Sequence, residues 1–211
     1  MRHVALAALA AVYIACGAAA AQAQERAVLF EENITTQGAR FDGHVTWSLK
    51  DVPPGPGEAA TERAVEAAIT IPDRQMTATW TLRRNTDKSL PASHTVDVIF
   101  DLPGNAAGGD FDRLAGILMK AEETAEGKPL AGLAVKVTTN YFLFGLSAGA
   151  ADVHSNVELL ETLDWIDMPI TRNDGRRLVL SVNKGVSGIR AFDAAFAAWN
   201  DAAAAQTSPH Q

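Results

Sequence analysis

Apolar and polar residues alternate along much of the chain between positions 28 and 144, and a period of two predicts half-buried antiparallel strands. Segments with this pattern begin at Val28, Val45, Val65, Met76, Val96, Leu114 and Leu133. Loops rich in proline, glycine and polar residues separate several of them, most clearly at 51–62 and 104–109. The pattern therefore predicts a sheet-rich protein, with one short strand spanning 114–120.

The block 163–199 shows the fold most clearly. After Ser147 the apolar period changes from two to about 3.6, which predicts a helix that ends near position 163. Two strands, 166–170 and 178–182, then flank the hairpin turn Asn173-Asp174-Gly175. Ser187 is a candidate N-cap for a last helix, and that helix carries one apolar face formed by Ile189, Phe192, Phe196 and Trp199. We predict a mainly β (α+β) fold, an antiparallel β-sandwich-like module with two helices in the C-terminal half.

The N-terminus has the features of a secretory leader. Met1-Arg2-His3 precedes the apolar run 4–16 and a small-residue stretch that ends at Ala21-Gln22-Ala23. We therefore predict a signal peptide at 1–23, a single β-rich domain at 24–201 and a flexible tail at 202–211. The apolar run is shorter than the roughly 18 to 20 residues that cross a bilayer, so no transmembrane segment is expected. The predicted location is periplasmic or secreted.

The lone cysteine offers an alternative to plain cleavage. Cys16 lies in Tyr13-Ile14-Ala15-Cys16-Gly17, and a small residue on each side of a cysteine fits a bacterial lipoprotein site. If the chain is instead cut after Ala23, no cysteine remains and disulfide bonds are excluded.

Composition narrows the classes of partner. The chain has 211 residues, of which 47% are hydrophobic and 20% charged, and its formal net charge is −7. This make-up suits one globular core, and an acidic protein is a poor binder of nucleic acid, which is held through clustered lysine and arginine. No cofactor-binding loop is present in the sequence, so no cofactor is predicted.

One motif suggests an enzyme. Gly145-Leu146-Ser147-Ala148-Gly149 is a G-x-S-x-G sequence between a strand and a helix, the local setting of a nucleophilic serine. Such a serine needs a histidine to take its proton, and the later histidines are His154, in the following helix, and His210, in the tail. The alternative interpretation is a strand-to-helix bend built from small residues.

His154 and Glu158 form a candidate pair of metal ligands. They stand four residues apart on a predicted helix, so both side chains could reach one ion. A third ligand is not evident nearby in the sequence, and a solvated helix face accounts for the same spacing.

Arginines surround the Asn-Asp-Gly turn. Arg172, Arg176 and Arg177 flank it, and Lys184 and Arg190 follow in sequence. A guanidinium cluster at a hairpin tip can receive a carboxylate, a phosphate or a sugar acid. Protection of a strand edge by charge is the alternative.

The C-terminal part resembles a known family. The strand pair near 133–144, the helix with Leu159-Leu160, the Asn-Asp-Gly hairpin and the segment 180–185 are similar in order and spacing to the invasion-associated locus B family of exported proteins of Gram-negative bacteria. The likeness covers roughly 120–199 and otherwise extends to uncharacterised exported proteins. It implies a periplasmic β-sandwich-like module in envelope or host-interaction roles. We therefore expect a non-catalytic periplasmic binding or envelope accessory protein, whose partner is an envelope protein or a small anionic ligand; the alternative is a small serine hydrolase that uses Ser147.

Overall fold

The structure is a computed structural model, and it describes residues 24–32, 38–53, 61–104 and 109–207, with side chains through residue 200. The predicted signal peptide, including Cys16, lies outside the described residues, as does the end of the predicted tail from position 208 onward. The last helix continues through Thr207, so the chain from 202 to 207 is helical in the structure.

The described residues form twelve strands and two α-helices. The strands are β1 Gln24–Glu31, β2 Ala39–Val52, β3 Glu62–Ile71, β4 Met76–Arg84, β5 Ala92–Asp101, β6 Phe111–Leu114, β7 Leu118–Lys120, β8 Lys128–Pro129, β9 Gly132–Thr138, β10 Tyr141–Ser147, β11 Trp165–Arg172 and β12 Arg177–Asn183. The helices are α1 Ala150–Thr162 and α2 Gly185–Thr207. The prediction of a mainly antiparallel β protein with two helices is confirmed.

All twelve strands belong to one curled antiparallel sheet. Its order is β8-β7-β11-β12-β1-β2-β3-β4-β5-β10-β9, and β6 pairs with β11 beside β7. The strands at the two ends of this order, β8 and β9, are separated by only Leu130 and Ala131. Because two residues cannot span a flat sheet of this width, the sheet curls into a half-barrel and brings its edges together. The finer prediction of a sandwich-like arrangement is not confirmed.

The core fills the inside of the curl. Alternate residues of the strands point inward, and α2 adds Phe192, Phe196 and Trp199 at one end, where it packs on β2 and β3. Trp47 and Trp80 meet edge-on with ring centroids 5.7 Å apart, and the Trp47 indole donates to the carbonyl of Asn183. The predicted apolar face of the last helix is therefore mainly a core face.

The strand predicted at 114–120 is wrong in its bounds, because the structure has two strands there. β6 and β7 both pair with β11, and the chain between them faces Pro169. The Pro169 carbonyl accepts a hydrogen bond from the amide of Ala115. Proline has no N–H, so Pro169 cannot donate the second hydrogen bond that a residue of an antiparallel strand normally makes to the same neighbouring strand. The missing donor interrupts the ladder at this point.

The predicted N-cap of the last helix is also corrected. The helix begins at Gly185, two residues before Ser187. The Ser187 hydroxyl donates to Glu25 on β1 instead of capping its own helix.

Candidate ligand-binding face

The arginines around the Asn-Asp-Gly turn point in different directions. Arg172 is buried at 6% exposure inside the curl, 3.7 Å from the Glu31 carboxylate and with its guanidinium 5.3 Å from the ring of Phe111. Burial lowers the pKa of Arg172 from its ordinary value. Arg176 and Arg177 are exposed, and Arg176 pairs with Asp174 of the turn at 3.3 Å. Only these last two arginines are therefore presented to solvent at the hairpin.

Lys184 and Arg190 lie at the other end of the sheet. Lys184 directly follows β12 and is seven positions after Arg177, which corresponds to roughly 23 Å at the usual rise per residue. Lys184 is buried at 1% exposure, donates to the Leu160 carbonyl at the end of α1, and its pKa is lowered by burial to about 8. Arg190 is exposed on α2. The five predicted binding residues therefore do not form one site.

The sheet register instead places a different cation beside Arg177. Thr171 on β11 is the cross-strand neighbour of Arg177 on β12 and, on its other side, of Arg113 on β6. Side chains directly opposite each other in antiparallel strands have Cβ atoms about 4.5 to 5.5 Å apart. Arg113 and Arg177 are exposed, and the three side chains lie on the face of the sheet away from the core. We call Arg113, Thr171 and Arg177 the cationic row.

The acidic residues near the cationic row neutralise it only in part. Glu32 lies 3.9 Å from Arg177, and both side chains are more than half exposed, at 61% and 78%. Asp112, the neighbour of Arg113 in sequence, pairs with Lys136 at 3.4 Å. Within the part of the chain that the structure describes, Arg113 has no ion pair. Two guanidinium groups thus flank the hydroxyl of Thr171 with little carboxylate compensation.

A row of apolar residues lies next to the cationic row on the same outer face. Val179 on β12 is the cross-strand neighbour of Pro169 on β11 and of Phe30 on β1, and all three are partly exposed. The Arg40 guanidinium lies 5.4 Å from the Phe30 ring and ends the row at β2. We call Pro169, Val179 and Phe30 the apolar row.

Two surface cavities follow these rows. One of about 630 Å³ is bordered by Arg113, Thr171 and Arg177 together with Pro169 and Val179. The other, of about 610 Å³, is bordered by Phe30, Arg40, Arg177 and Val179. Arg177, Leu178 and Val179 border both cavities. The start of β12 therefore forms a ridge between two concave areas, each of a volume that suits a small ligand.

The G-x-S-x-G segment forms a strand-to-helix bend. Ser147 ends β10, and its hydroxyl donates to Asp152 at 2.6 Å while it accepts from the amide of Gly149 at 3.2 Å. No histidine among the described residues is hydrogen-bonded to Ser147, and His154 is exposed on α1. The hydroxyl is therefore engaged in ordering the first turn of α1.

His154 and Glu158 are both exposed on α1. No group of three or more metal-ligating side chains is found among the described residues. These two side chains would need further ligands from a ligand molecule or water to hold an ion firmly.

Sequence reasoning missed Arg113 and Asn156. Arg113 lies in a four-residue strand whose two end residues are buried. Its cross-strand neighbour Thr171 is far away in sequence, so no local sequence pattern predicts that the two residues are adjacent. Asn156 is 1% exposed on the buried side of α1, where its amide bonds to both the N–H and the carbonyl of Ala131. Asn156 could have been found from the sequence, because it is a polar residue on the side of the predicted helix that is otherwise apolar, and a buried polar side chain needs a hydrogen-bond partner.

Comparison with protein-family models, with curated proteins and with solved structures finds no match to this chain. The resemblance to the invasion-associated locus B family stays a prediction that rests on the C-terminal residues. Neither described helix has the length and apolar character needed to cross a membrane.

Proposed function

We propose that this protein is a non-catalytic binding protein of the periplasm or the extracellular space, and that it binds an anionic ligand on the cationic row. The observation that carries the proposal is the placement of Arg113 and Arg177 on either side of Thr171. Guanidinium groups donate paired hydrogen bonds that fit carboxylate and phosphate oxygens, and a hydroxyl between them adds a third donor.

Local charge supports an anion at this place in an otherwise acidic protein. The chain carries a formal charge of −7, but the cationic row has two guanidinium groups with one carboxylate at 3.9 Å. Because Glu32 and Arg177 are both largely exposed, their attraction is screened and adds little stability to the fold. A bound anion can therefore replace Glu32 at small cost.

Titration with inorganic phosphate and with acetate, followed by amide chemical shifts, tests the proposal. We expect shifts at the amides of Thr171 and its neighbours, and their loss in Arg113→Gln and in Arg177→Gln. The matched control is Arg190→Gln, which removes an exposed arginine from α2 at the other end of the sheet. Equal weakening by Arg190→Gln would point to general charge screening and would contradict a specific site.

The proposed location depends on the leader at 1–23. Mass spectrometry of protein recovered separately from the cytoplasm, the membranes, the periplasm and the medium distinguishes the forms of processing. A mature chain beginning at Gln24 supports plain cleavage, and an acylated chain beginning at Cys16 supports a lipoprotein. An unprocessed chain that stays in the cytoplasm would contradict export.

A further inference from the structure

We infer that the anionic ligand is an amphiphile, with its charged group on the cationic row and an alkyl chain along the apolar row. This inference rests on the proposed function and adds the chemical class of the ligand. It comes from the fact that the two rows are adjacent: a ligand held by Arg113 and Arg177 is already beside Pro169 and Val179.

The distance between the rows is set by the strands themselves. Arg177 and Val179 are two residues apart on β12, and Thr171 and Pro169 are two residues apart on β11. Residues i and i+2 of a strand point to the same face and lie roughly 6.5 to 7 Å apart. An anionic headgroup on the first row therefore places its first methylenes over the second.

The apolar row also has a direction and a length. It crosses three neighbouring strands from Pro169 through Val179 to Phe30, which is roughly 10 Å at the usual spacing between strands. Beyond Phe30 lies the Arg40 guanidinium, which is held by Asp42 and by Glu123. An alkyl chain of medium length fits between the cationic row and Arg40, and a longer chain would leave the apolar surface.

The two cavities described above also fit a ligand with a charged head and an alkyl chain. The cavity of about 630 Å³ contains the whole cationic row, and the cavity of about 610 Å³ contains Phe30 and continues past Val179. Val179 borders both, so a single ligand can occupy one cavity with its head and the other with its chain. A free phosphate would leave the apolar row exposed to water.

The charge pattern argues against a polyanion as the ligand. A nucleic acid or other polyanion is bound through a track of many lysines and arginines. The cationic row has two guanidinium groups and is followed directly by apolar residues and by Glu32. One headgroup with one chain is the ligand that uses both rows.

A series of n-alkyl phosphates from ethyl to decyl tests this inference, with each compound below its critical micelle concentration and affinity measured by calorimetry at fixed ionic strength. We expect affinity to rise by up to about fourfold per methylene, the fold-change that corresponds to about 0.8 kcal/mol, and to level off once the chain extends past Phe30. The corresponding alkyl carboxylates distinguish a fatty acid from a lipid phosphate as the source of the anion. Octyl glucoside, which has the chain without the charge, should bind at least tenfold more weakly than octyl phosphate.

Val179→Thr is the matched variant, because it keeps the shape of the side chain and adds a hydroxyl to the apolar row. It should flatten the dependence on chain length, because it should lower the affinity for octyl phosphate more than the affinity for ethyl phosphate. Equal binding of ethyl and octyl phosphate would overturn the amphiphile and leave the anion site standing. Equal binding of octyl glucoside and octyl phosphate, or no binding by any of the compounds, would overturn the proposed function as well.

Discussion

Glu25 on β1 caps the helix α2 through Ser187, which lies 162 residues further along the chain. The Glu25 carboxylate accepts from the Ser187 amide at 3.3 Å and from the Ser187 hydroxyl at 3.2 Å. The first amides of a helix have no partners within the helix, and the helix dipole favours a negative charge at this end. The first strand of the domain and the last helix are thereby tied together.

Glu25→Ala should lower the free energy of unfolding by about 1 kcal/mol, the usual effect of losing a capping side chain. Urea denaturation measures the change. Glu66→Ala, which removes a partly exposed pair with Lys50 at 3.3 Å, is the control and should cost less. If Glu25→Ala unfolds at the same urea concentration as the unsubstituted protein, the contact does not stabilise the helix.

Gly185→Ala should be more destabilising than loss of the cap itself. Gly185 has φ +51°, in the left-handed region that disfavours a side chain, and a Cβ there would lie 2.1 Å from the Glu25 carboxylate. We expect a loss of more than about 1 kcal/mol in thermal or urea unfolding. In the background of Glu25→Ala the clash is absent and only the backbone strain remains, so the two changes should cost less together than the sum of their separate effects.

The elements that were predictable from the sequence are those set by neighbouring residues. The hairpin of β11 and β12 follows from alternating apolar residues on either side of Asn173-Asp174-Gly175, and Gly175 has φ +85° as such turns require. The bend at Ser147 likewise follows from local residue types. Alternation of apolar and polar residues identifies a strand and its buried face. The same alternation occurs in a sandwich and in one curled sheet, so it does not distinguish the two arrangements.

The features that escaped prediction depend on residues that are far apart in sequence. The split between β6 and β7 requires knowing that Pro169 faces this segment across the sheet. The cationic row likewise requires the register that brings Arg113 beside Thr171. Lys184 and Arg190 are close to the hairpin arginines in sequence, which suggested that they are also close in space. Because β12 is an extended strand, the residues at its two ends are far apart in the structure.

Ser147→Ala should weaken the start of α1 and should not remove an enzymatic activity. The change deletes the hydrogen bonds to Asp152 and from Gly149, and we expect a loss of about 1 kcal/mol in unfolding free energy. A fluorophosphonate probe should form no adduct with the unsubstituted protein, because the described residues offer Ser147 a carboxylate and no histidine as its side-chain partner. An adduct that disappears in Ser147→Ala would instead support the serine hydrolase.

Lys184 should make the protein more stable as the pH rises from about 8 to 10.5. Burial lowers the pKa of Lys184 from 10.5 to about 8, although Asp164, Asp193 and Glu161 oppose the shift. Between these values the unfolded chain holds a proton that the folded protein has released, so unfolding becomes less favourable with increasing pH. Lys184→Met removes this titration. From about pH 8 to 10.5 the unfolding free energy of the unsubstituted protein should increase, relative to that of Lys184→Met, by at most about 3 kcal/mol. If the difference between the two proteins stays constant over this range, the pKa of Lys184 is not lowered by folding.

His94 should change the stability in the same direction as Lys184, but on the acid side, where stability is lost as the pH falls. It is 8% exposed, its ring centroid lies 5.1 Å from that of Trp199 and 6.1 Å from that of Phe196, and burial, with a smaller effect from Arg84, lowers its pKa from 6.5 to about 4. Below pH 6.5 the unfolded chain binds a proton that the folded protein excludes. The unfolding free energy should therefore fall as the pH drops from about 6.5 to 4, with no further loss from this residue at lower pH.

The size of the His94 effect has an upper limit of about 3 kcal/mol, since a difference of one in pKa corresponds to about 1.4 kcal/mol. Urea denaturation of the unsubstituted protein and of His94→Gln at several values between pH 7 and 4 isolates it from the other titrating groups. The difference in unfolding free energy between the two proteins should shift in favour of His94→Gln as the pH falls. His154→Gln, which changes an exposed histidine on α1, is the control. A difference between the unsubstituted protein and His94→Gln that does not change with pH would show that His94 accepts its proton without disturbing the packing of α2.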